Sequence, residues 1–131
     1  MVKKKILIID DEPDFIKVIK ERIESWGFEV VSCEGGKEAM GILSKVRPDI
    51  IILDYIMPEM DGVEVLRHIR ALDQKIPIIM FTAHPDIKVI KGTDALGVSA
   101  FIPKFSAYTD VQNSLKAALN LIDKAPGGKE G

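Results

Sequence analysis

Ile50-Ile51-Ile52-Leu53, closed by Asp54, is a short and mostly β-branched apolar run with no polar residue alternating inside it. A run of this kind reads as a strand buried on both faces, the habit of a parallel sheet with helices packed on either side. Working outward, Ile6-Leu7-Ile8-Ile9 and Ile78-Ile79-Met80-Phe81 repeat the pattern. Val30-Val31, between Glu29 and Ser32, and Ala100-Phe101-Ile102 after Gly97 are shorter and more mixed, as edge strands are.

Between the strands the period becomes helical. Phe15, Ile16, Ile19, Ile23 and Trp26 share one face, Lys17, Lys20, Glu21 and Glu24 turn away, and Pro13 fits the first turn. Trp26 reads as the core anchor at that helix's end. Ala39, Met40, Leu43 and Val46 make a second buried stripe, Val65, Leu66, Ile69 and Leu72 a third, and Val111, Leu115, Ala118, Leu119 and Ile122 the last. The segment from Asp86 to Leu96 is the poorest helix, because Gly92 and Thr93 interrupt it and an interior glycine costs about 0.5–1 kcal/mol relative to alanine. It is expected to be short or mobile. The β-α order repeats five times with connections that suit right-handed parallel crossovers. The expected fold is α/β, a flavodoxin-like doubly wound five-stranded parallel sheet with strand order 2-1-3-4-5, five helices, and the switch point between strands 1 and 3.

The length of 131 residues allows one domain. With 18 Lys+Arg against 20 Asp+Glu the formal net charge is −2, and the one tight basic run, Lys3-Lys4-Lys5, reads as a solvated flank ahead of a strand. Direct nucleic-acid binding is therefore not expected. Single Cys33 can form neither an internal disulfide nor a thiolate cluster, which suits a reducing cytoplasm. The apolar runs are too short to span a membrane, and no signal-peptide core precedes them. A soluble cytoplasmic chain without a membrane partner is expected. Past Asp123, Lys-Ala-Pro-Gly-Gly-Lys-Glu-Gly cannot extend a helix beyond Pro126, so the expected division is one domain over 1–123 and a flexible tail or truncated linker over 124–131.

Ligands in open parallel sheets bind beyond the carboxyl ends of the strands, near the switch point. The strand ends here are Asp10-Asp11-Glu12, Asp54 and Thr82, and Lys104 follows the fifth strand by two residues. Taken singly, Asp and Thr at such places read as caps of the following helices. Taken together they crowd carboxylates where strands 1 and 3 adjoin, and two unit charges about 4 Å apart repel by roughly 4 kcal/mol at an effective dielectric near 20. Cationic charge is required. Lys104 supplies one unit, and Mg2+ is the matched hard complement to carboxylate oxygens. Softer metals are disfavoured, since Cys33 lies elsewhere on an edge strand and His84 is the sole imidazole at this end. Carboxylate, hydroxyl, ammonium and divalent cation are the parts of phosphoryl transfer, with Asp54 as nucleophile. Neither G-x-G-x-x-G nor G-x-x-x-x-G-K-[ST] occurs, so a nucleotide is not the expected donor.

On these residues the chain resembles the receiver domain of two-component response regulators. The resemblance rests on Asp10-Asp11 after the first strand, Asp54-Tyr-Ile-Met-Pro-Glu-Met-Asp-Gly62, Thr82-Ala83 and Lys104, and covers residues 4–123. It implies that Asp54 accepts a phosphoryl group from a phosphohistidine on a histidine kinase or phosphotransfer protein. It further implies that Asp11, Asp54 and the backbone carbonyl of Ile56 hold Mg2+, that Asp10 binds through water or supports the shell, and that Thr82 and Lys104 contact phosphoryl oxygens. Thr82 and Phe101 would form a switch: as Thr82 moves toward the phosphoryl group, Phe101 turns inward. The face of the fourth helix, fifth strand and fifth helix would then change its affinity for an output partner, which the sequence does not name, and dimerisation through that face stays open. The chemistry would be limited to the protein's own phosphorylation and autodephosphorylation.

The plainer alternative for Phe101 is an edge-strand core aromatic. Two departures from the family pattern stand out. Pro103 precedes Lys104 and Phe105 follows it, where the family usually has Lys-Pro, often cis; a cis bond before a non-proline residue costs about 2.5–4 kcal/mol, so a trans bond or altered loop is predicted and Lys104 is free to aim differently. Phe101 also stands where many members carry Tyr, and it offers no hydroxyl to guide a rotamer change. His84 reads as a solvent-facing loop residue and His68 as a surface residue. Apolar Ile56 is expected to obstruct attacking water and lengthen the phosphorylated lifetime. Three other functions fit part of the pattern. A haloacid-dehalogenase-like Mg2+-dependent phosphatase would carry its nucleophile on strand 1 in an Asp-x-Asp pattern. A flavodoxin-like cofactor carrier would need the phosphate loop that is missing. A phosphorylation-independent receiver-like interaction domain would leave the acidic pair, Asp54, Thr82 and Lys104 without a use.

Overall fold

The strands form because each apolar run is covered from both sides. In the computed structural model, which describes residues 3–55, 57, 60–82, 96–104 and 108–124, five strands make one parallel sheet: β1 (Lys5–Ile9), β2 (Glu29–Cys33), β3 (Ile50–Asp54), β4 (Ile78–Thr82) and β5 (Ala100–Pro103). Their order is β2-β1-β3-β4-β5, so the mixed strands stand at the edges and the fully apolar ones at the centre. The described helices are α1 (Pro13–Ser25), α2 (Gly36–Val46), α3 (Gly62–Leu72) and α4 (Tyr108–Lys124). The additional helix expected from Asp86 to Leu96 falls on 83–95, outside the described residues but for Leu96, so four of the five expected helices are described. The tail beyond 124 lies outside them as well.

Alternation along the strands divides the core into two layers. Ile6, Ile8, Ile50, Ile52, Ile79, Phe81 and Ile102 face α1 and α4, meeting Ile16, Ile19, Ile23, Val111, Leu115 and Leu119. Leu7, Ile9, Ile51, Leu53, Ile78 and Met80 face the other way, against Ala39 of α2 and Val65, Leu66 and Ile69 of α3. Trp26 packs half-buried at the end of α1, as its spacing predicts. One member of the expected stripes is misplaced: Leu72 is 72% exposed. It occupies the last turn of α3, where the helical period of the stripe continues but the side chain stays open to solvent. Among the described residues no helix is long and apolar enough to cross a membrane.

Register fixes what meets at the carboxyl edge. Ile9 pairs with Leu53, so Asp10 and Asp54 each stand one step beyond a matched pair on adjacent central strands. Asp54 is itself the register partner of Phe81 on β4. The chain crosses between faces of the sheet here, which is the crevice described by the switch-point rule.

Candidate functional site

Asp10 leaves β1 with its backbone N–H donating to the Cys33 carbonyl of β2 at 3.1 Å, which carries the sheet pairing one residue past the strand. Its Oδ1 accepts from the Glu12 N–H at 2.9 Å and so turns the chain into α1, where Pro13 occupies the first turn. Asp54 ends β3, and Tyr55 N–H donates to the Phe81 carbonyl at 2.9 Å. Both carboxylates are buried, Asp10 at 1% and Asp54 at 4% exposed.

Lys104 reaches them from the far side of the sheet, just past β5. Its side chain is buried, and Nζ lies 3.0 Å from Asp54 Oδ2 and 3.1 Å from Asp10 Oδ1. Asp10 Oδ2 also faces the ammonium at 3.0 Å, at ion-pair distance but without a directed hydrogen bond. Glu12 Oε1 closes on the same nitrogen, and the Phe15 ring lies beneath it, 4.8 Å from Nζ to the centroid. Phe15 in turn meets Phe81 edge-on, with centroids 5.2 Å apart and planes at 90°.

The electrostatics follow from this crowding. Burial raises the Asp10 carboxyl above its ordinary value, with Lys104 and the Glu12 N–H opposing that rise. Burial opposes the charge on Lys104, but its hydrogen bonds to Glu12, Asp10 and Asp54 outweigh it, and the ammonium is held above its ordinary value. Carboxylate oxygens of Asp10, Asp11, Glu12 and Asp54 lie within 4.8 Å of one another. This is an all-oxygen, hard donor set of the kind Mg2+ accepts. Cys33 ends β2 nearby, but its thiol turns to the Gly35 carbonyl at 3.8 Å and is buried, so it adds no soft ligand.

The structure thus brings together Asp10, Asp11, Asp54 and Lys104, the last despite the unusual Pro103-Lys104-Phe105 order. The bond after Lys104 lies outside the described residues, as do Ile56 and His84 and the side chain of Thr82. Phe101 is half-buried and packs on the α2–α3 face of the sheet. His68 is exposed on α3. Sequence reasoning named Glu12 only as part of an acidic string and Phe15 only as core. Their spacing of three was the available signal, because it sets both on one side of the first helical turn.

A family model described as the response regulator receiver domain matches residues 6–116. The chain belongs to that family. This receiver is 34% identical over 126 residues to a probable transcriptional regulator ycf27 of Porphyridium aerugineum, covering 95% of this chain and 52% of that protein. It is 30% identical over 121 residues to sporulation initiation phosphotransferase F of Bacillus subtilis (strain 168), covering 92% of this chain and 98% of the relative. Among solved structures, the phosphorylated cyanobacterial phytochrome response regulator RcpA superposes with a TM-score of 0.82 at 27% identity, over 92% of this chain and 94% of that one. The receiver spans about half the length of several curated relatives it matches. Receivers of this family act in two-component signalling, typically bind Mg2+ at an acidic pocket, and imply a histidine kinase or phosphotransfer partner.

Proposed function

We propose that this receiver is a phosphoacceptor switch in which Asp54 takes a phosphoryl group from a phosphohistidine of a partner kinase or phosphotransfer protein. One observation carries the reading: Asp54 Oδ2, at the centre of the sheet, lies 3.0 Å from the buried Lys104 ammonium inside a cluster of carboxylates. In the transfer a P–O bond forms to the Asp54 carboxylate as the P–N bond of the donor breaks, and the departing imidazole nitrogen takes up a proton.

The donor set fits Mg2+. Asp11, Asp54 and the Ile56 carbonyl would hold it, with Asp10 bridging through water, and the ion would supply positive charge against the equatorial phosphoryl oxygens. Asp10 Oδ2, which receives no directed hydrogen bond, is an acceptor suited to such a water. Lys104 keeps its charge in the buried site and contacts a phosphoryl oxygen, while Thr82 contacts another. Movement of Thr82 toward the phosphoryl group leaves room for Phe101 to turn inward, and the face carrying β5 and α4 changes for an output partner or a second copy. The receiver occupies 1–123 and does chemistry on itself alone. A cytoplasmic setting suits the single reduced thiol of Cys33.

Acetyl phosphate and Mg2+ test the assignment, with the modified residue mapped by mass spectrometry. Label on Asp54, absent in Asp54→Asn, is expected. Label on Asp10 would favour the phosphatase chemistry, and no label on the unaltered protein would overturn the switch.

A further inference from the structure

An ammonium has three N–H donors. Those of Lys104 go to Asp10 Oδ1, Asp54 Oδ2 and the Glu12 carboxylate, and the charged nitrogen lies over the Phe15 ring in a cation–π contact. The three carboxylates are not equivalent. Asp10 and Asp54 are almost fully buried, whereas the Glu12 side chain is 51% exposed. Glu12 stands at the N-cap of α1 in extended conformation and makes no capping hydrogen bond with its side chain, so nothing in its own helix uses that carboxylate.

We infer that Glu12, with the ring of Phe15, is a positioning residue that holds the Lys104 ammonium at the acceptor site. The inference rests on Asp54 being the phosphoacceptor. Phosphorylation removes the charge that Asp54 offers Lys104, and a metal shell draws on Asp10. Glu12 and Phe15 are the contacts that neither event consumes. With them in place, the N–H released by Asp54 is presented to a phosphoryl oxygen from a fixed point. Phe81 steadies the Phe15 ring edge-on and is the register neighbour of Asp54, so acceptor and ammonium are referred to the same pair of strands.

The test uses the whole chain with Glu12→Ala, Glu12→Gln and Phe15→Leu. Three quantities are read: the rate of Asp54 labelling by acetyl phosphate, the Mg2+ dissociation constant of the unphosphorylated protein by calorimetry, and the 15N-resolved ammonium signal of Lys104. Loss of one charge-assisted contact predicts labelling about tenfold slower in Glu12→Ala, with most of the rate restored in Glu12→Gln, which keeps the acceptor oxygen. The ammonium signal should broaden in Glu12→Ala, persist in Glu12→Gln and weaken in Phe15→Leu. The Mg2+ constant should move by less than about threefold, since no ligand is lost. A rise beyond tenfold would make Glu12 a metal ligand instead. Faster labelling in both Glu12 variants would mark it as merely repelling the anionic donor, and either outcome overturns the inference. If the unaltered protein takes no label, the phosphoacceptor reading falls. The ammonium signal still decides the anchoring, which an unchanged signal in Glu12→Ala would refute.

Discussion

Gly62 is seated against the backbone of Asp54: a Cβ on Gly62 would stand 2.5 Å from the Asp54 carbonyl oxygen and 2.7 Å from Tyr55 Cα. The Gly62 N–H also donates to the Tyr55 carbonyl at 2.8 Å. The first turn of α3 is thereby docked onto the end of β3, where Asp54 stands.

Gly62→Ala should therefore both destabilise and misplace. The obstructing atoms belong to backbone and cannot swing aside, so an overpacking cost of about 1–3 kcal/mol is expected. Urea unfolding should show a lower midpoint, and acetyl phosphate labelling of Asp54 should slow because the strand end has moved. The neighbouring Asp61→Ala offers a contrast. It removes the cap in which Asp61 Oδ1 accepts from the Glu64 N–H at 2.9 Å, costing about 1 kcal/mol, and should leave the labelling rate of the folded protein alone.

Much of this site was legible because a strand ending in a carboxylate is a local pattern. Asp10 and Asp54 could be placed side by side once three buried runs had been ranked as central and two mixed ones as edges. The ammonium was legible as a charge requirement, although its contact with Asp54 spans fifty residues of sequence. Glu12 was not, since an acidic residue before Pro13 looks like ordinary N-terminal helix chemistry, and only the fold carries Lys104 to it. Leu72 shows the opposite failure. Its period was correct, but period describes a helix face and says nothing about which turns of that face are covered.

Leu72 and Ile69 accordingly predict a sharp difference on one helix. Leu72→Glu should change unfolding free energy by no more than about 0.5 kcal/mol, as for other open surface positions. Ile69→Ala, at a fully buried position against β3 and β4, should cost about 2–5 kcal/mol. Chemical denaturation of the two variants decides it, and equal losses would mean that Leu72 is covered in solution.

Lys104→Met should expose how the acidic cluster depends on countercharge. It leaves Asp10 and Asp54 buried without the ammonium, and removing one partner of a buried pair costs about 3–5 kcal/mol. Mg2+ should restore part of this loss through linkage, raising the urea midpoint more in the variant than in the unaltered protein. The same rise in both would show that the ion and the lysine do not share the carboxylates.

Cys33 sets a pH dependence whose sign can be worked out. Burial first, then the Glu38 charge, push its thiol from 9.0 up to about 11, and the residue is only 2% exposed. Between those values the unfolded chain has released a proton that the folded chain retains, so stability falls as pH rises. The loss should reach roughly 1 kcal/mol by pH 10, at 1.36 kcal/mol per pKa unit of difference. Lys104, also raised, adds a loss of the same sign, fully absent below its unfolded value of 10.5 and growing above it. Unfolding free energies measured from pH 7 to 10 should decline for the unaltered protein and stay nearly level for Cys33→Ala across that range. A parallel decline in the variant would remove Cys33 as the cause. A neutral alkylating reagent at pH 8 should modify the thiol only as fast as the protein opens, because the folded state offers neither access nor thiolate.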